Sequence, residues 1–443
     1  MNNKLGIHDL AFQAPSLYLP IKDLAVARGI EAAKLKFGLG LESMSLCDVN
    51  EDVVTLATGA VLRLLKQNPD ITPDQIGRIY VGTESSIDGS KPIGSYVHAI
   101  VNQYFSDQYS DENNLLHTDV LDMTFACIGA VDAMHNSLYY LQAEPEKLAI
   151  VVAADIANYD LDSTGEYTQG AGAVAMLLGA NPRLIEIENK WGIAMKSEHD
   201  FFKPIRLKQE GDKTIELHDE KPIFDGQFSN ETYQKRITEA WSHFKSENKL
   251  WVDYERIVFH LPYAFHGRRI ITPLILNELK KGHLLEKICQ ANEIDPNAPD
   301  IIKSFSKTPE YKSWVKDKIS AGEKLSSQMG NLYTASIFLG LMSSLEYSEP
   351  QKDDKLLFFA YGSGSKAKVF EGKLVDGFKA VMNKWQSKEV LSSRQEISFD
   401  DYIRIRTQKA HVPLSKTSKI QQISSGISET NRFERIYELK KNT

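Results

Sequence analysis

Cys127 is the residue whose type and position most directly suggest chemistry. It stands between an apolar, strand-like run at residues 120–125 and a segment with the apolar spacing of a helix face. A thiol at a helix N-terminus faces unpaired N–H groups and the positive end of the helix dipole, and both favour the reactive thiolate. A buried cysteine acting as a small hydrophobic residue is the alternative interpretation. These residues alone do not choose between the two.

Three further polar residues fall at the ends of predicted elements, where catalytic groups are commonly mounted. Glu84 follows a short apolar strand at 79–81, His260 ends a strand at 254–260, and Asn331 precedes a helical pattern. A carboxylate and an imidazole are frequent general acids and bases. Taken singly, these residues are also consistent with a turn carboxylate, a packed histidine and a helix cap.

Motif spacing excludes several other kinds of site. The glycine clusters at 170–172 and 362–364 match neither GxGxxG nor GxxxxGK[ST], so we do not expect nucleotide binding there. Cys47, Cys127 and Cys289 form no CxxC pair, which disfavours a disulfide framework and a cysteine zinc site and favours a reducing cytoplasm. The formal net charge of −7 argues against a general nucleic-acid-binding protein.

The composition is that of an ordinary globular protein with a sizeable core. The chain has 443 residues, of which 42% are hydrophobic and 25% are charged. It contains no apolar run of about 18 residues and no signal-peptide pattern, so we expect a cytoplasmic protein without a transmembrane helix.

The elements that must position these residues alternate between strands and helices, which predicts a layered α/β fold with buried sheets. The second half repeats the plan of the first more weakly, which predicts a duplicated architecture. Strand-like runs fall at residues 7–12, 79–81, 120–125, 148–154, 170–178, 254–260 and 356–361.

We predict three regions along the chain. They are an N-terminal half at 1–180 with Glu84 and Cys127, a C-terminal half at 181–375 with His260, Asn331 and Ser363, and an appended tail at 376–443, whose last fifty residues we expect to be helical. Polar, helix-prone insertions are predicted at 205–250 and 283–325.

Eight short segments, taken in order, resemble one family. They are GTESS from residue 82, FACIGA from 125, GAGAVA from 170, DFFKP from 200, FDGQFS from 224, FHLPY from 259, QMGNLYTAS from 328 and YGSGS from 361. The series closely resembles the 3-hydroxy-3-methylglutaryl-CoA (HMG-CoA) synthases of the thiolase-like superfamily, and the resemblance extends from about residue 5 to about residue 375.

The resemblance implies a duplicated α-β-α-β-α layered fold, a homodimer, and acetyl-CoA and acetoacetyl-CoA as substrates, with no metal or other cofactor. It implies that Cys127 is the acylated nucleophile and that Glu84 and His260 are general acid/base residues. Asn331 would hold the acetoacetyl thioester, and the backbone N–H groups of Cys127 and Ser363 would form an oxyanion hole. Further substrate contacts would come from Thr168, Ser229 and Arg269, and supporting roles from Asp155, Asp200 and Gly362.

The implied reaction is a condensation through an acetyl-cysteine intermediate, in the mevalonate route to isoprenoids. Glu84 would deprotonate the acetyl methyl group, His260 would protonate the developing alkoxide, and water would release the product. Two alternatives remain. One is a β-branching synthase that acts on groups held by acyl carrier proteins; the other, less favoured, is a Cys-His hydrolase, which leaves Glu84 and Asn331 unexplained.

The chain departs from the family pattern at two positions. Ile128 stands directly after the nucleophile, where many members have tyrosine, and Phe265 stands where many have a lysine expected near CoA. The candidates to supply the missing charge are His266, Arg268 and Arg269.

Overall fold

A computed structural model of the chain describes residues 4–109, 113–211, 213–218, 221–245, 250–282, 284–415, 423–427 and 434–439. Its strands are β1 Leu5–Gln13, β2 Leu17–Pro20, β3 Ser43–Leu46, β4 Ile76–Gly82, β5 Asp119–Met123, β6 Leu148–Ala157, β7 Gly170–Ala180, β8 Ile185–Met195, β9 Phe201–Phe202, β10 Ile205–Glu210, β11 Lys213–His218, β12 Ile223–Phe224, β13 Arg256–Phe259, β14 Lys355–Gly362, β15 Lys366–Leu374, β16 Gln395–Glu396, β17 Ile423–Ile427 and β18 Arg435–Leu439.

The α-helices are α1 Ile21–Ala27, α2 Val53–Gln67, α3 Ile93–Tyr109, α4 Gly129–Ala143, α5 Gly226–Phe244, α6 His266–Lys281, α7 Leu284–Ala291, α8 Ile301–Phe305, α9 Pro309–Lys318, α10 Ser326–Met329, α11 Ser336–Glu346, α12 Phe378–Met382, α13 Ser387–Ser392 and α14 Phe399–Arg406. Short 3₁₀ or π turns lie at Lys34–Leu39, Pro73–Gln75, Glu166–Thr168, Trp251–Asp253, Ser320–Glu323 and Tyr333–Ala335. No described helix is both long enough and apolar enough to cross a membrane.

The largest sheet runs through both halves of the chain in the order β13-β14-β15-β8-β1-β7-β6-β4-β5. The first half supplies the five strands from β1 to β5 in this order, and the second half supplies the other four. The two groups meet at a short antiparallel contact, where Gly6 pairs with Glu186. The chain passes from one group to the other between Ala180 and Ile185.

Helices cover both faces of each group of strands. Helices α4 and α11 lie in the middle, where their apolar residues share one core with strands of both halves. Helices α2 and α3 pack on the outer face of the first group, and α5 and α6 on that of the second. The layers therefore follow the predicted α-β-α-β-α order.

Local signals explain how the first half forms. Asp52 caps α2 by accepting a hydrogen bond from the Thr55 N–H at 3.0 Å, and the Thr55 hydroxyl in turn accepts from the Asp52 N–H. This reciprocal capping box satisfies two N–H groups that would otherwise lack partners. Strands β6 and β7 are almost wholly buried, as expected for strands covered by helices on both faces.

The prediction of a helix-prone insertion at 205–250 is wrong for its first part. That part forms the hairpin β10–β11, in which Glu210 pairs with Lys213 across a turn containing Gly211 at φ +63°. Apolar residues alternate with polar ones along both strands, and this two-residue period stabilises a strand rather than a helix. The second part forms α5, and the described part of 283–325 is largely helical.

The segment predicted as an appended tail packs back onto the first half wherever it is described. The Trp385 indole donates a hydrogen bond to Oδ1 of Asp9 at 3.0 Å, and the Tyr402 hydroxyl donates to Glu166 at 2.8 Å. Strand β16 pairs in parallel with β2. These contacts make residues from 376 to 415 part of the globular body.

Candidate active site

A cavity of about 310 Å³ opens at the ends of β13 and β14, between the two halves of the fold. Its walls bring together side chains that are widely separated along the chain. The predicted site residues that line it are Cys127, Thr168, Ser229, His260, Arg269, Asn331 and Ser363.

Cys127 lies in the tight turn that joins β5 to α4. Ala126, directly before it, has a left-handed backbone conformation with φ +40°, and the Ile128 N–H closes the turn on the Phe125 carbonyl at 3.1 Å. Such strain in a residue other than glycine persists only where the surrounding structure imposes it, and it is frequent at active sites. The turn leaves Cys127 only 7% exposed, at the floor of the cavity.

Glu84 and Lys203 form a charged pair beside the thiol. The Cys127 thiol donates a hydrogen bond to Oε1 of Glu84, with 3.1 Å between the atoms. Nζ of Lys203 lies 3.4 Å from Oε2 of Glu84 and 4.6 Å from the centre of the Tyr333 ring. Both members of the ion pair are largely buried, so solvent screens their interaction only weakly.

Asp155 holds the Glu84 loop in place. Its buried Oδ1 accepts hydrogen bonds from the Thr83 hydroxyl, the Glu84 N–H and the Ser85 hydroxyl at 2.8–2.9 Å. Its Oδ2 accepts from the Thr334 N–H at 3.1 Å, in the turn that leads into α11. One carboxylate therefore ties the end of β4 to the central helical layer.

Burial and negative charge control the ionisation of this cluster. Burial, followed by the Glu84 charge, raises the pKa of the Cys127 thiol well above its usual range, while Lys203 opposes the rise. The same effects raise the pKa of Asp155 to about 7. The thiol therefore keeps its proton in this structure, and the predicted preference for thiolate at the helix N-terminus is outweighed.

His260 is a buried, neutral imidazole at the end of β13. Its Nδ1 lies 2.6 Å from the Ser336 hydroxyl oxygen, which also accepts a hydrogen bond from the Leu261 N–H at 3.1 Å. When the Ser336 hydroxyl donates its proton to Nδ1, the ring proton is on Nε2. Burial lowers the pKa of His260 to about 3, although a hydrogen bond to the Tyr333 backbone opposes the shift.

Asn331 is fixed by its own backbone and by two tyrosines. Its N–H donates to the Thr168 carbonyl at 2.8 Å, and its side-chain oxygen accepts from the Tyr333 N–H at 2.8 Å. Its side-chain nitrogen donates to the Tyr159 hydroxyl at 3.3 Å. These contacts orient the amide on the wall of the cavity.

Asp200 holds the turn after β14 against the start of α5. Its side chain accepts from the Gly364 N–H at 2.8 Å and from the Tyr361 hydroxyl at 2.5 Å. Its backbone carbonyl accepts from the Ser229 hydroxyl at 2.5 Å. Ser363 lies in the turn that these contacts hold.

Gly362 allows β14 to approach the nucleophile turn. A Cβ atom at this position would lie 2.7 Å from Cγ2 of Ile128 and 2.7 Å from the Phe125 carbonyl oxygen. Ile128 is fully buried in the central core and lies outside the lining of the cavity. The isoleucine found at the position of the family tyrosine therefore packs against the neighbouring strand.

The basic residues near Phe265 have different surroundings. The Phe265 ring lies outside the cavity lining and stacks against the Arg268 guanidinium, which is paired with Glu323. His266 is buried, and burial lowers its pKa well below the usual range. Arg269 alone of the three candidates both lines the cavity and is exposed at its edge, in the described structure.

Sequence reasoning assigned no role to Lys203 or Ser336, although both contact predicted catalytic residues. Both lie inside segments that carried the family resemblance, DFFKP and QMGNLYTAS, so a signal was present. Within the described ranges, no three His, Cys, Asp or Glu residues are grouped closely enough to hold a metal ion.

The arrangement places the Cys127 thiol and the His260 imidazole in one cavity, and the Glu84 carboxylate is hydrogen-bonded to the thiol. A thiol that can pass its proton to an adjacent carboxylate is suited to acyl transfer. The neutral imidazole of His260, which lines the same cavity, can donate a hydrogen bond to an oxygen that gains negative charge.

Family comparisons cover almost the whole chain. Residues 1–183 match the family described as hydroxymethylglutaryl-coenzyme A synthase N terminal, and residues 185–440 match the corresponding C-terminal family. The chain is 29% identical over 436 residues to a hydroxymethylglutaryl-CoA synthase of Enterococcus faecalis, covering 98% of this chain and 99% of that one. It is 29% identical over 423 residues to the Haloferax volcanii enzyme, covering 91% and 89%.

Solved structures of HMG-CoA synthases are also similar to this chain. MvaS in complex with 3-hydroxy-3-methylglutaryl coenzyme A has a TM-score of 0.81 and 27% identity, and each chain is covered completely. An HMG-CoA synthase complexed with CoA has a TM-score of 0.72 and 26% identity, with 99% of this chain and 100% of that one covered. The HMG synthase of the curacin pathway, in complex with an acetyl donor carrier protein, has a TM-score of 0.77 over 99% and 100% of the chains, but its 18% identity supports a common fold alone.

Proposed function

Because the chain belongs to the hydroxymethylglutaryl-CoA synthase family over both of its halves, we propose that it condenses acetyl-CoA, acetoacetyl-CoA and water to HMG-CoA and CoA. The family and the layered fold predicted from the sequence are confirmed. The observation that carries the site assignment is the hydrogen bond from Cys127 to Glu84 in a cavity that also contains His260. The product places the enzyme in the mevalonate route.

The first step is transfer of the acetyl group to Cys127. As the thiol attacks the acetyl-CoA carbonyl, its proton passes to Glu84, 3.1 Å away. Lys203 balances the carboxylate charge, and the backbone N–H groups of Cys127 and Ser363 serve as oxyanion donors in this proposal. Collapse of the intermediate breaks the thioester bond, and CoA leaves with the proton from Glu84.

The second step is formation of the carbon–carbon bond. Glu84 removes a proton from the methyl group of acetyl-Cys127, and the resulting carbon nucleophile adds to the ketone of acetoacetyl-CoA, held by Asn331. His260 is neutral because its pKa is about 3, and it donates a hydrogen bond to the developing alkoxide. The alkoxide takes up the proton that Glu84 removed from the methyl group, and Glu84 returns to the carboxylate. Water then hydrolyses the enzyme thioester, which releases the product and restores the thiol.

The other roles in this proposal are in substrate binding and support. Thr168 and Ser229 contact the acyl chain or CoA from the cavity wall, and Arg269 meets the CoA phosphates at the cavity edge. Asp155 and Asp200 position the loops described above. The reaction as written needs neither a metal nor a redox cofactor.

A homodimer is proposed from the edge of the large sheet. Strand β5 ends the sheet and, among the described strands, pairs only with β4, so one row of its backbone groups is available to another strand. Leu121 on this strand is 43% exposed and Leu116 beside it is 67% exposed. A two-fold contact through β5 would cover these residues and extend the sheet into a second copy.

A cytoplasmic location is proposed on two grounds. In the described structure, none of Cys47, Cys127 and Cys289 forms a disulfide, as is common in a reducing compartment. A chicken relative that is 28% identical over 454 residues is named as a cytoplasmic hydroxymethylglutaryl-CoA synthase.

The two alternative functions are less well supported. The Enterococcus faecalis and Haloferax volcanii relatives are HMG-CoA synthases that match nearly the full chain, whereas the carrier-protein enzyme shares only the fold, at 18% identity. For a Cys-His hydrolase, the thiol should contact the imidazole, yet the hydrogen bond that the structure records from Cys127 goes to Glu84.

The proposal is tested by separating acyl transfer from condensation. Mass spectrometry after mixing with acetyl-CoA should show an adduct of about 42 Da on Cys127, as expected for an acyl-enzyme. Cys127→Ala should lose the adduct. Glu84→Ala should still become acetylated, more slowly, but should fail to condense, and His260→Ala should mainly impair the use of acetoacetyl-CoA.

Two outcomes would contradict the proposal. Retention of the label by Cys127→Ala would exclude this thiol as the nucleophile. Failure of the wild-type enzyme to turn over free acetoacetyl-CoA, together with turnover of a carrier-protein-bound substrate, would favour the β-branching reaction.

A further inference from the structure

His266 is a second histidine in the cavity, and the mechanism above does not use it. It is the first residue of α6 and only 2% exposed, and it contributes to the cavity lining. Its ring lies 4.8 Å from the Tyr233 ring and 4.8 Å from the Tyr263 ring, measured between centres. Among the described residues, neither ring nitrogen has a hydrogen-bond partner.

An unpaired buried imidazole is costly. Leaving a buried donor or acceptor without a partner costs about 1–3 kcal/mol, and most buried polar groups in native proteins are paired. Burial lowers the pKa of His266, so the ring is neutral and offers one N–H donor and one acceptor nitrogen. A ligand group with both an acceptor and a donor would match it.

The position of His266 indicates which part of a bound substrate would lie next to its ring. Its two tyrosine neighbours place His266 between His260 and Arg269: the Tyr233 ring centre is 6.0 Å from that of His260, and the Arg269 guanidinium lies 5.6 Å from the centre of the Tyr263 ring. His260 belongs to the reacting end of the cavity, and Arg269 lies at the exposed edge, where it binds the Gly38 carbonyl at 2.6 Å. In an acyl-CoA that spans this distance, pantetheine lies between the thioester and the phosphates, and pantetheine contains two amide groups.

We propose that His266 binds the pantetheine arm of the CoA substrates, its ring N–H donating to an amide carbonyl and its other nitrogen accepting from an amide N–H. This inference rests on the proposed function, because it requires a CoA thioester in the cavity. It makes His266 a residue that recognises the carrier arm rather than the acyl group. Because Phe265 stands at the position of the family lysine, the hydrogen bonds of His266 to pantetheine would replace the charge contact of that lysine with CoA.

The test compares thioesters that contain or lack amides. The rate of Cys127 acetylation is measured with acetyl-CoA, acetyl-pantetheine and S-ethyl thioacetate for the wild type, His266→Leu and His266→Asn. Loss of a hydrogen bond of about 1.4 kcal/mol predicts a tenfold lower kcat/KM for His266→Leu with both amide-containing thioesters, mainly through KM. With S-ethyl thioacetate this variant should match the wild type, and His266→Asn, which keeps a donor and an acceptor, should recover part of the loss.

His8→Leu is the matched control. His8 is also a buried histidine with an unpaired Nδ1, but it lies in β1, outside the cavity lining. Its replacement should leave the ratio of acetyl-CoA to S-ethyl thioacetate reactivity unchanged. Thermal denaturation of His266→Leu should show a melting temperature no lower than that of the wild type, because an unpaired polar group has been removed.

Two results would overturn the inference. One is an equal loss with all three thioesters, which would indicate a packing role; the other is no loss with acetyl-CoA. Failure of the wild type to react with acetyl-CoA would instead reject the proposed function, so the two failures are distinguishable.

Discussion

At the scale of single residues, the reactivity of Cys127 depends on opposing charges within a few ångströms. Burial and Glu84 hold the proton on the thiol, and Lys203 is the cation that opposes them. Lys203 also opposes the rise in the pKa of Asp155. The same ammonium group, paired with Glu84, therefore counteracts part of the effect of burial on both the thiol and Asp155.

Lys203→Met is expected to slow acetylation of Cys127 about tenfold at neutral pH, since losing a partly buried charge partner costs on the order of 1–2 kcal/mol. Without the cation, the pKa values of the thiol and of Asp155 rise further. The acidic limb of the acetylation rate against pH should therefore move to higher pH. Single-turnover acetylation measured from pH 6 to 9 checks this shift.

Lys208→Met provides the control for the loss of a lysine. Lys208 lies on the exposed hairpin and pairs with Glu210 at 2.6 Å, with more than half of each side chain exposed. Its replacement should leave the pH profile unchanged. A Lys203→Met profile that superimposes on the wild type would remove Lys203 from this role.

At the scale of elements, the proposed nucleophile, Cys127, is positioned by a strand from the other half of the chain. The turn between β5 and α4 supplies Cys127, and the last residue of β14, Gly362, packs directly against that turn. The Asp155 carboxylate links the end of β4 to the start of α11 in the same way. Each contact joins elements that are distant in sequence, so the site exists only when both halves are assembled.

Gly362→Ala is expected to displace the turn. The added Cβ would meet Ile128 and the Phe125 carbonyl at 2.7 Å, and overpacking of this kind typically costs about 1–3 kcal/mol. A lower melting temperature and at least a tenfold slower acetylation should result, both measurable on the purified protein.

Gly89→Ala is the matched control, since a Cβ at Gly89 would meet no atom within 4 Å. This variant should keep the wild-type melting temperature and rate. A Gly362→Ala protein that is as stable and as active as Gly89→Ala would show that the turn tolerates movement.

At the scale of the whole molecule, two halves close around one central helical layer, and β5 forms one edge of the large sheet among the described strands. The sheet begins at β13 and ends at β5; β5 carries the exposed Leu121, and the exposed Leu116 lies just before the strand. Exposed apolar edge strands promote association, which proteins either prevent or use for assembly. In the proposed dimer, this edge forms the contact between the two copies.

Leu121→Asp is expected to convert the dimer to monomers, because the two-fold contact would bury unpaired carboxylates next to each other. Light scattering after size-exclusion chromatography would report the mass of one chain instead of two. Leu207→Asp, at a leucine that is 70% exposed on β10, should remain dimeric. A wild-type protein with the mass of one chain would contradict the proposed assembly.

Local sequence was enough to predict the family, the alternating elements and the types of residue in the site. Strands and helices follow from apolar periodicity over a few residues, and segments such as FACIGA carry their signal in adjacent positions. The hairpin at β10–β11 and the packing of the segment after residue 376 were missed. The hairpin has a helix-prone composition, but its apolar residues recur every second position, which favours strands. The segment after 376 was missed because its contacts, such as Trp385 with Asp9, join residues far apart in the chain.

What the sequence by itself determined is therefore the inventory of the site: a cysteine, a carboxylate, a histidine and an asparagine in a family-like order. Only the tertiary structure decided their chemical states. It placed Glu84 3.1 Å from a thiol that lies 43 positions away in the chain, brought Lys203 to balance that charge, and buried His260 as a neutral ring. Burial and Coulomb interactions depend on distances in space, and these arise only when elements from both halves pack together.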